Sequence, residues 1–306
     1  MHAIADAYMG ESRTLSWLIW HAASLADREN PSIRARQRVG IGKLRIGLEA
    51  SDSAASHATT GTVDLHCHLL PGIDDGARDL ADAIEMAKQA EADGIVAICA
   101  TPHIRADHRV NIEELPARQA ELRAALRQRG CRTRVLPGGE VAADMLDAVD
   151  DPELASVTLG AAGRWILLEP APGPLDERME AAVDVLNARG FRSLIAHPER
   201  HPAPDLVDRL RRMIAKGALV QATAACFTED STRSAMLTLA RAGVIHVLGS
   251  DAHSSRAGRH VELAAALETL ATVEPGGGHL EWVGHTAPWG IVRGQDVVSP
   301  FGSAGA

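Results

Sequence analysis

Between residues 62 and 251 short apolar runs alternate with longer stretches whose apolar positions recur at helical spacing. The runs are 62–68 (TVDLHCH), 94–103 (GIVAICATPH), 133–141 (TRVLPGGEV), 164–170 (RWILLEP), 192–198 (RSLIAHP), 217–223 (GALVQAT) and 245–251 (IHVLGSD). Their length and apolar content predict seven strands. After the first, Asp79 stands at an N-cap position, Leu80, Ile84, Ala87 and Ala90 share one helical face, and Gly94 is placed to end the helix just before the next strand. Residues 176–190 and 203–217 repeat the arrangement, each stretch stopping at a glycine. Seven such strands, with the order strand, helix, glycine, strand recurring between them, predict an α/β barrel over 62–306.

Residues 1–61 do not follow this pattern. Leu15, Leu18, Ile19 and Ala22 are spaced for one helix within 14–27, and the small polar composition of 51–62 is that of a linker. The expectation is a flexible N-terminal extension.

Composition narrows the classes. The chain has 306 residues, of which 46% are hydrophobic, enough to bury one substantial core. A net charge of −9 argues against a broad nucleic-acid footprint, which needs clustered cations. No apolar run approaches the ~18 residues of a membrane span, and the first residues, with Asp6 and Glu11, lack the build of a secretion signal. The expected setting is therefore the cytoplasm, with no membrane insertion; assembly into a homo-oligomer is left open. Cys67, Cys99, Cys131 and Cys226 are far apart with no C-x-x-C pair, as expected of reduced, mostly buried thiols.

In β/α barrels the active site lies at the C-terminal ends of the strands. Those ends carry His66 and His68, His103, Glu140, Glu169, His197, and Asp251 with His253; only 217–223 offers no such group. His66 and His68, two apart on an extended segment, present both imidazoles to one face. Each residue alone has an ordinary reading as a cap, a turn or a core polar group. Their joint placement points to a metal centre of mixed imidazole and carboxylate donors. Such a centre needs further anionic oxygen, for which Asp74 and Asp75 are both candidates.

The segment 99–105, CATPHIR, permits another reading, because Cys99 and Arg105 have the C-x5-R spacing of cysteine-based phosphatases. That chemistry requires a loop of N–H groups facing the phosphate, whereas this segment has no glycine and Pro102 removes one donor. Cys99 is also expected inside the strand, away from its exposed end.

In order along the chain, DLHCHLLPGIDDG, ATPH, PGGE, LLEP, AHPER and SDAH resemble the motifs of the PHP (polymerase and histidinol phosphatase) superfamily. Within it they are most similar to the manganese-dependent bacterial protein-tyrosine phosphatases of capsule and exopolysaccharide synthesis. The resemblance spans about 62 to 300 and implies a distorted (β/α)7 barrel with three metal ions, Mn²⁺ first, Fe or Zn as substitutes. It implies a first ion on His66, His68, Glu140 and Asp251. A second would share Glu140 and add Glu169 and His197; a third would sit on Asp75, His103 and His253. Arg200 would bind phosphate together with either Arg256 or Arg259, which straddle the usual spacing, and Asp251 or Asp75 would handle protons. The implied substrate is phosphotyrosine on a protein, namely a tyrosine autokinase controlling polysaccharide export. A small phosphoester such as histidinol phosphate or a nucleotide would use the same metals, and a metal-binding module that regulates without turnover would keep the same fold. Two departures stand out: the 61 preceding residues have no counterpart, and Ile104 stands where many relatives carry His or an aromatic residue.

Overall fold

The computed structural model describes residues 61–301, Arg109 excepted. The expected extension over 1–61, with its helix at 14–27, lies outside the described residues apart from Gly61. Nine strand segments follow: β1 (Thr62–Cys67), β2 (Ile95–Ala100), β3 (His103–Ile104), β4 (Arg134–Leu136), β5 (Glu140–Ala142), β6 (Trp165–Glu169), β7 (Arg192–Ile195), β8 (Leu219–Thr223) and β9 (Val247–Gly249). One sheet runs β1-β2-β4 and another β3-β5-β6-β7-β8-β9, with every neighbouring pair parallel.

These nine segments are the seven expected strands, two of them interrupted. Pro102 breaks the second and Pro137-Gly138-Gly139 the third, because a proline cannot donate to the ladder. Across the breaks Thr101 N–H donates to the Cys67 carbonyl (3.0 Å) and Glu140 N–H to the Pro102 carbonyl (2.9 Å). Glu140 therefore opens β5 and does not end a continuous strand. The ring closes between β1 and β9: Cys67 bridges Ala252, Asp251 N–H donates to the His66 carbonyl (2.8 Å), and His68 N–H donates to the Ala252 carbonyl (3.0 Å). The result is a distorted seven-stranded parallel barrel.

Helices α1 (Leu80–Asp93), α2 (Leu115–Gln128), α3 (Asp151–Ser156), α4 (Glu177–Ala188), α5 (Leu206–Ala215), α6 (Asp230–Arg241), α7 (Ala264–Leu270) and α8 (Ala287–Val292) connect or close the strands. In α1 the Asp79 carboxylate accepts from Asp82 N–H, and Gly94 ends the helix in the left-handed conformation at φ 88°. Ile84, Ala87 and Ala90 are buried as the periodicity requires, but Leu80, in the first turn, is exposed. Helices α4 and α5 likewise run into Gly190 and Gly217, both at positive φ.

Two apolar layers make the core. An inner cluster takes Val63, Leu65, Ala97, Cys99, Leu167, Leu194, Leu219 and Val247 from the strands and is closed below by Trp289 and Ile291 of α8. An outer layer joins the opposite strand faces, among them Cys67, Ile98, Ile166, Leu168 and Val220, to the helices. A register shift in β1 between Asp64 and Cys67 matters most for the site. Without it, strict alternation would put His66 and His68 on the face opposite Val63 and Leu65. With the bulge, Cys67 joins the outer layer while the two histidines face the upper end of the interior. Among the described residues no helix is long and apolar enough to cross a membrane.

Gly160 locks the lower end. It has φ +75°, and a Cβ there would collide with the Val292 carbonyl of α8. Gly160→Ala is expected to cost more than ~1 kcal/mol, measured as a lowered midpoint of denaturant unfolding.

Candidate metal centre

Every strand end expected to carry a donor delivers it to one place. His66 Nε2 lies 3.2 Å from His68 Nε2, 3.3 Å from Glu140 Oε1 and 3.4 Å from Asp251 Oδ1. His197 Nε2 is 2.8 Å from Glu140 Oε1, and His103 Nδ1 is 3.0 Å from Glu140 Oε2 and 3.7 Å from Glu169 Oε2. At the outer edge Asp75 Oδ1 stands 3.4 Å from His103 Nε2 and 3.5 Å from His253 Nε2. Donor atoms fall into four overlapping groups, each spanning less than 4.8 Å: His66, His68 and Glu140; His103, Glu140 and Glu169; His66, His197 and Asp251; and His68, Asp75, His103 and His253. Glu140 takes part in two of them, as the resemblance implies, whereas His197 groups with His66 and Asp251 and not with Glu169.

The histidines are oriented from behind. His66 Nδ1 meets the amide oxygen of Gln221 at 2.9 Å and His68 Nδ1 meets Asp74 Oδ2 at 3.0 Å. In each case a proton carried on the outer nitrogen would leave the inner Nε2 a lone pair for a bound ion. Asp74 also accepts from the N–H groups of Gly76 and His103. The two adjacent aspartates thus divide the work: Asp74 props His68, and Asp75 reaches the donor group. Asp64, fully buried, accepts from His66 N–H and from Ser250 N–H and Oγ, tying β1 to the end of β9. His197 (φ 29°) and Asp251 (φ 49°) both leave their strands through left-handed backbone. Such strain in non-glycine residues concentrates at functional sites.

The charges are out of balance. Burial opposes ionisation of Glu140, yet His66 and His103 hold its carboxyl well below the ordinary range. Burial, and then the charge of Glu140, pushes Glu169 up to about 7. Glu169 Oε2 is buried with no hydrogen-bond partner, and it and Glu140 Oε2 both face the buried Nδ1 of His103, at 3.7 and 3.0 Å. Buried polar atoms are normally paired, and lone pairs left facing one another among carboxylates and imidazoles are what divalent cations occupy. The donor set therefore fits a cluster of ions.

Two guanidiniums adjoin it. Arg200 pairs with Asp251 and donates to Thr223 Oγ1 (3.3 Å); burial and the neighbouring Arg259 lower it to about 10. Arg259 lies 3.3 Å from Asp251 Oδ2 and donates through Nε to the Asp251 carbonyl (2.7 Å). Of the two arginines that the sequence left open, Arg256 is exposed and Arg259 is at the site. The reason is local: Ser255 is pinned to Asp82 through its N–H (2.9 Å) and Oγ (2.5 Å), which leaves Arg256 outside the turn, and Gly258 at φ +70° reverses the chain to bring Arg259 back.

Some participants were not anticipated. Gln221 and Thr223 lie on the strand that offered no metal donor, and a lone buried Gln in LVQAT was the available signal. Arg105 donates to Glu169 Oε1 at 2.8 Å, and the His108 ring stacks on His103 at 4.7 Å. The C-x5-R spacing thus contains an arginine that does reach the site, but Cys99 is buried inside β2 with burial pushing its thiol well up. All four cysteines are free, three of them buried and Cys131 partly so. Cys99 is no nucleophile.

The description of CpsB/CapC proteins of capsular polysaccharide synthesis matches residues 62–274. The chain belongs to the CpsB/CapC family. Within it, the tyrosine-protein phosphatase YwqE of Bacillus subtilis is 34% identical over 203 residues, 63% of this chain and 77% of that protein. CapC of Staphylococcus aureus, described as a putative tyrosine-protein phosphatase, is 28% identical over 199 residues, again 63% and 77%. Among solved structures, one from the work on YwqE of B. subtilis and CpsB of Streptococcus pneumoniae, described as unique metal-dependent tyrosine phosphatases, superposes with a TM-score of 0.64. That match has 27% identity and covers 77% of this chain and 96% of that one. A phosphotriesterase homology protein of Escherichia coli, 16% identical with a TM-score of 0.50, shares the fold; the match covers 76% of this CpsB/CapC chain and 99% of that protein.

Asp82→Ala removes the acceptor that pins Ser254 and Ser255. The expected result is faster amide hydrogen exchange over 253–259 and a loss of about 1–3 kcal/mol of stability, read by exchange mass spectrometry and by thermal melting.

Proposed function

We propose that this CpsB/CapC chain is a metal-dependent protein-tyrosine phosphatase that hydrolyses phosphotyrosine on a protein substrate. The observation that carries the reading is the buried donor cluster flanked by Arg200 and Arg259. Family membership and the names of the relatives support the same reaction. His66, His68, Asp75, His103, Glu140, Glu169, His197, Asp251 and His253 are the proposed ligands of up to three ions. Mn²⁺ is the first choice and Fe or Zn the alternatives, since mixed imidazole and carboxylate donors suit all three. When bound, such ions supply a hydroxide near neutral pH and neutralise phosphoryl charge.

The protein's own groups do the rest. Arg200 and Arg259 both rest on Asp251, so each guanidinium is already held where the oxygens of a phosphate on the cluster would meet it. Asp251, nearly unexposed and placed between two arginines, is assigned the role of a ligand. Asp75 is half-exposed at the outer edge of the cluster, so it is our choice to give the leaving tyrosine oxygen its proton. Membership in a capsular polysaccharide synthesis family supports, as the physiological substrate, a cytoplasmic tyrosine autokinase of polysaccharide export.

Protein reconstituted with Mn²⁺ is expected to release phosphate from a phosphotyrosine peptide and to stop when a chelator is added. Glu140→Ala and His103→Ala should lose most of the activity together with bound metal, measured by elemental analysis. Arg200→Ala should lose about 10²–10³ in kcat/KM with its metal retained, and Cys99→Ser should stay active. Loss of activity in Cys99→Ser with full activity in the histidine variant would overturn the metal reading.

A further inference from the structure

We infer that a cavity beside the cluster receives the aromatic ring of the phosphoester, which makes the enzyme selective for aryl over alkyl phosphates. The inference rests on the phosphatase reading and adds the place where the substrate's organic half is recognised. The cavity, about 270 Å³, lies between the segment after β3 and the segment after β5. Ile104, Val110, Ile112, Met145 and Val149 give it an apolar part, and Asn111 and Glu153 add polar edges. Arg105 and His108 also line it, and these same two residues touch the cluster: Arg105 Nη1 holds Glu169 Oε1 at 2.8 Å, and the His108 ring lies on His103, 4.7 Å between centroids and 22° from parallel.

Direction follows from the charges. Arg200 and Arg259 sit on the Asp251 side of the cluster and take phosphoryl oxygens there. The ester oxygen, which carries the bulky group, is then turned to the opposite side, that of His103 and Glu169, where the way out passes His108 and Arg105. A flat ring suits that passage: it stacks on imidazole and lies under a guanidinium, contacts that an alkyl chain cannot make. Pockets for whole drug-sized ligands run to ~300–1,000 Å³, so a space of about 270 Å³ is on the scale of one ring with its first substituents.

The test compares two esters on Mn²⁺-loaded protein: phenyl phosphate and glycerol 2-phosphate. Ala148 lines the cavity from an exposed position, so enlarging it fills the space without disturbing the core. Ala148→Trp is expected to lower the ratio of kcat/KM for phenyl phosphate to that for glycerol 2-phosphate by about tenfold or more. Ala148→Leu should lower it by less, and thermal melting should confirm that both variants fold. If the ratio stays at the wild-type value in both variants, whatever happens to the absolute rates, the ring does not lie in this cavity and the inference falls while the phosphatase reading stands. Wild-type protein that hydrolyses neither ester is a different result, and it overturns the phosphatase reading itself.

Discussion

Glu140 is fully buried, and both of its oxygens are within 3.3 Å of imidazole nitrogens. Placing an ionised carboxylate in an apolar barrel costs several kcal/mol unless positive or hydrogen-bonding partners surround it. Here His66, His68, His103 and His197 do so, and three of them have a support of their own: Gln221 behind His66, Asp74 behind His68, left-handed backbone beneath His197. The bulge in β1 and the breaks at Pro102 and Pro137 bring side chains to this one carboxylate, and the turn after β9 brings Arg259 to Asp251 beside it. The remainder of the barrel is ordinary apolar packing beneath it.

Much of this was legible in the sequence. The seven strands, the caps at Asp79 and Gly94 and the donors at the strand ends follow from periodicity and from where the polar residues interrupt it. What periodicity does not carry is contact across the barrel. Gln221 reads as one polar residue in an apolar strand until the structure sets it against His66, 155 positions earlier. Leu80 shows the converse: it is apolar and in phase, yet exposed at the first position of α1. The choice between Asp74 and Asp75, and between Arg256 and Arg259, depended on turn geometry, where neighbouring residues point in different directions for reasons that spacing does not encode.

CATPHIR illustrates how a motif can be half right. Cys99 belongs to the inner apolar cluster, and its thiol is far from ionising. His103, four residues on, stands in the donor cluster, and Arg105 reaches Glu169 beside it. A spacing that suggests thiolate chemistry is here produced by a strand, a proline break and the first residues of a loop.

The seam between β1 and β9 has a consequence for how the protein is made. His66 and His68 are among the first residues of the domain to leave the ribosome, whereas Asp251 and His253 emerge nearly 190 residues later, with α8, which closes the bottom, later still. At typical synthesis rates of ~5–20 residues per second, the early histidines wait on the order of ten seconds or more for the partners that complete their surroundings. The groups built on Glu140 are thus complete by residue 169, whereas those that include Asp251 and His253 can assemble only when translation of the domain is all but finished.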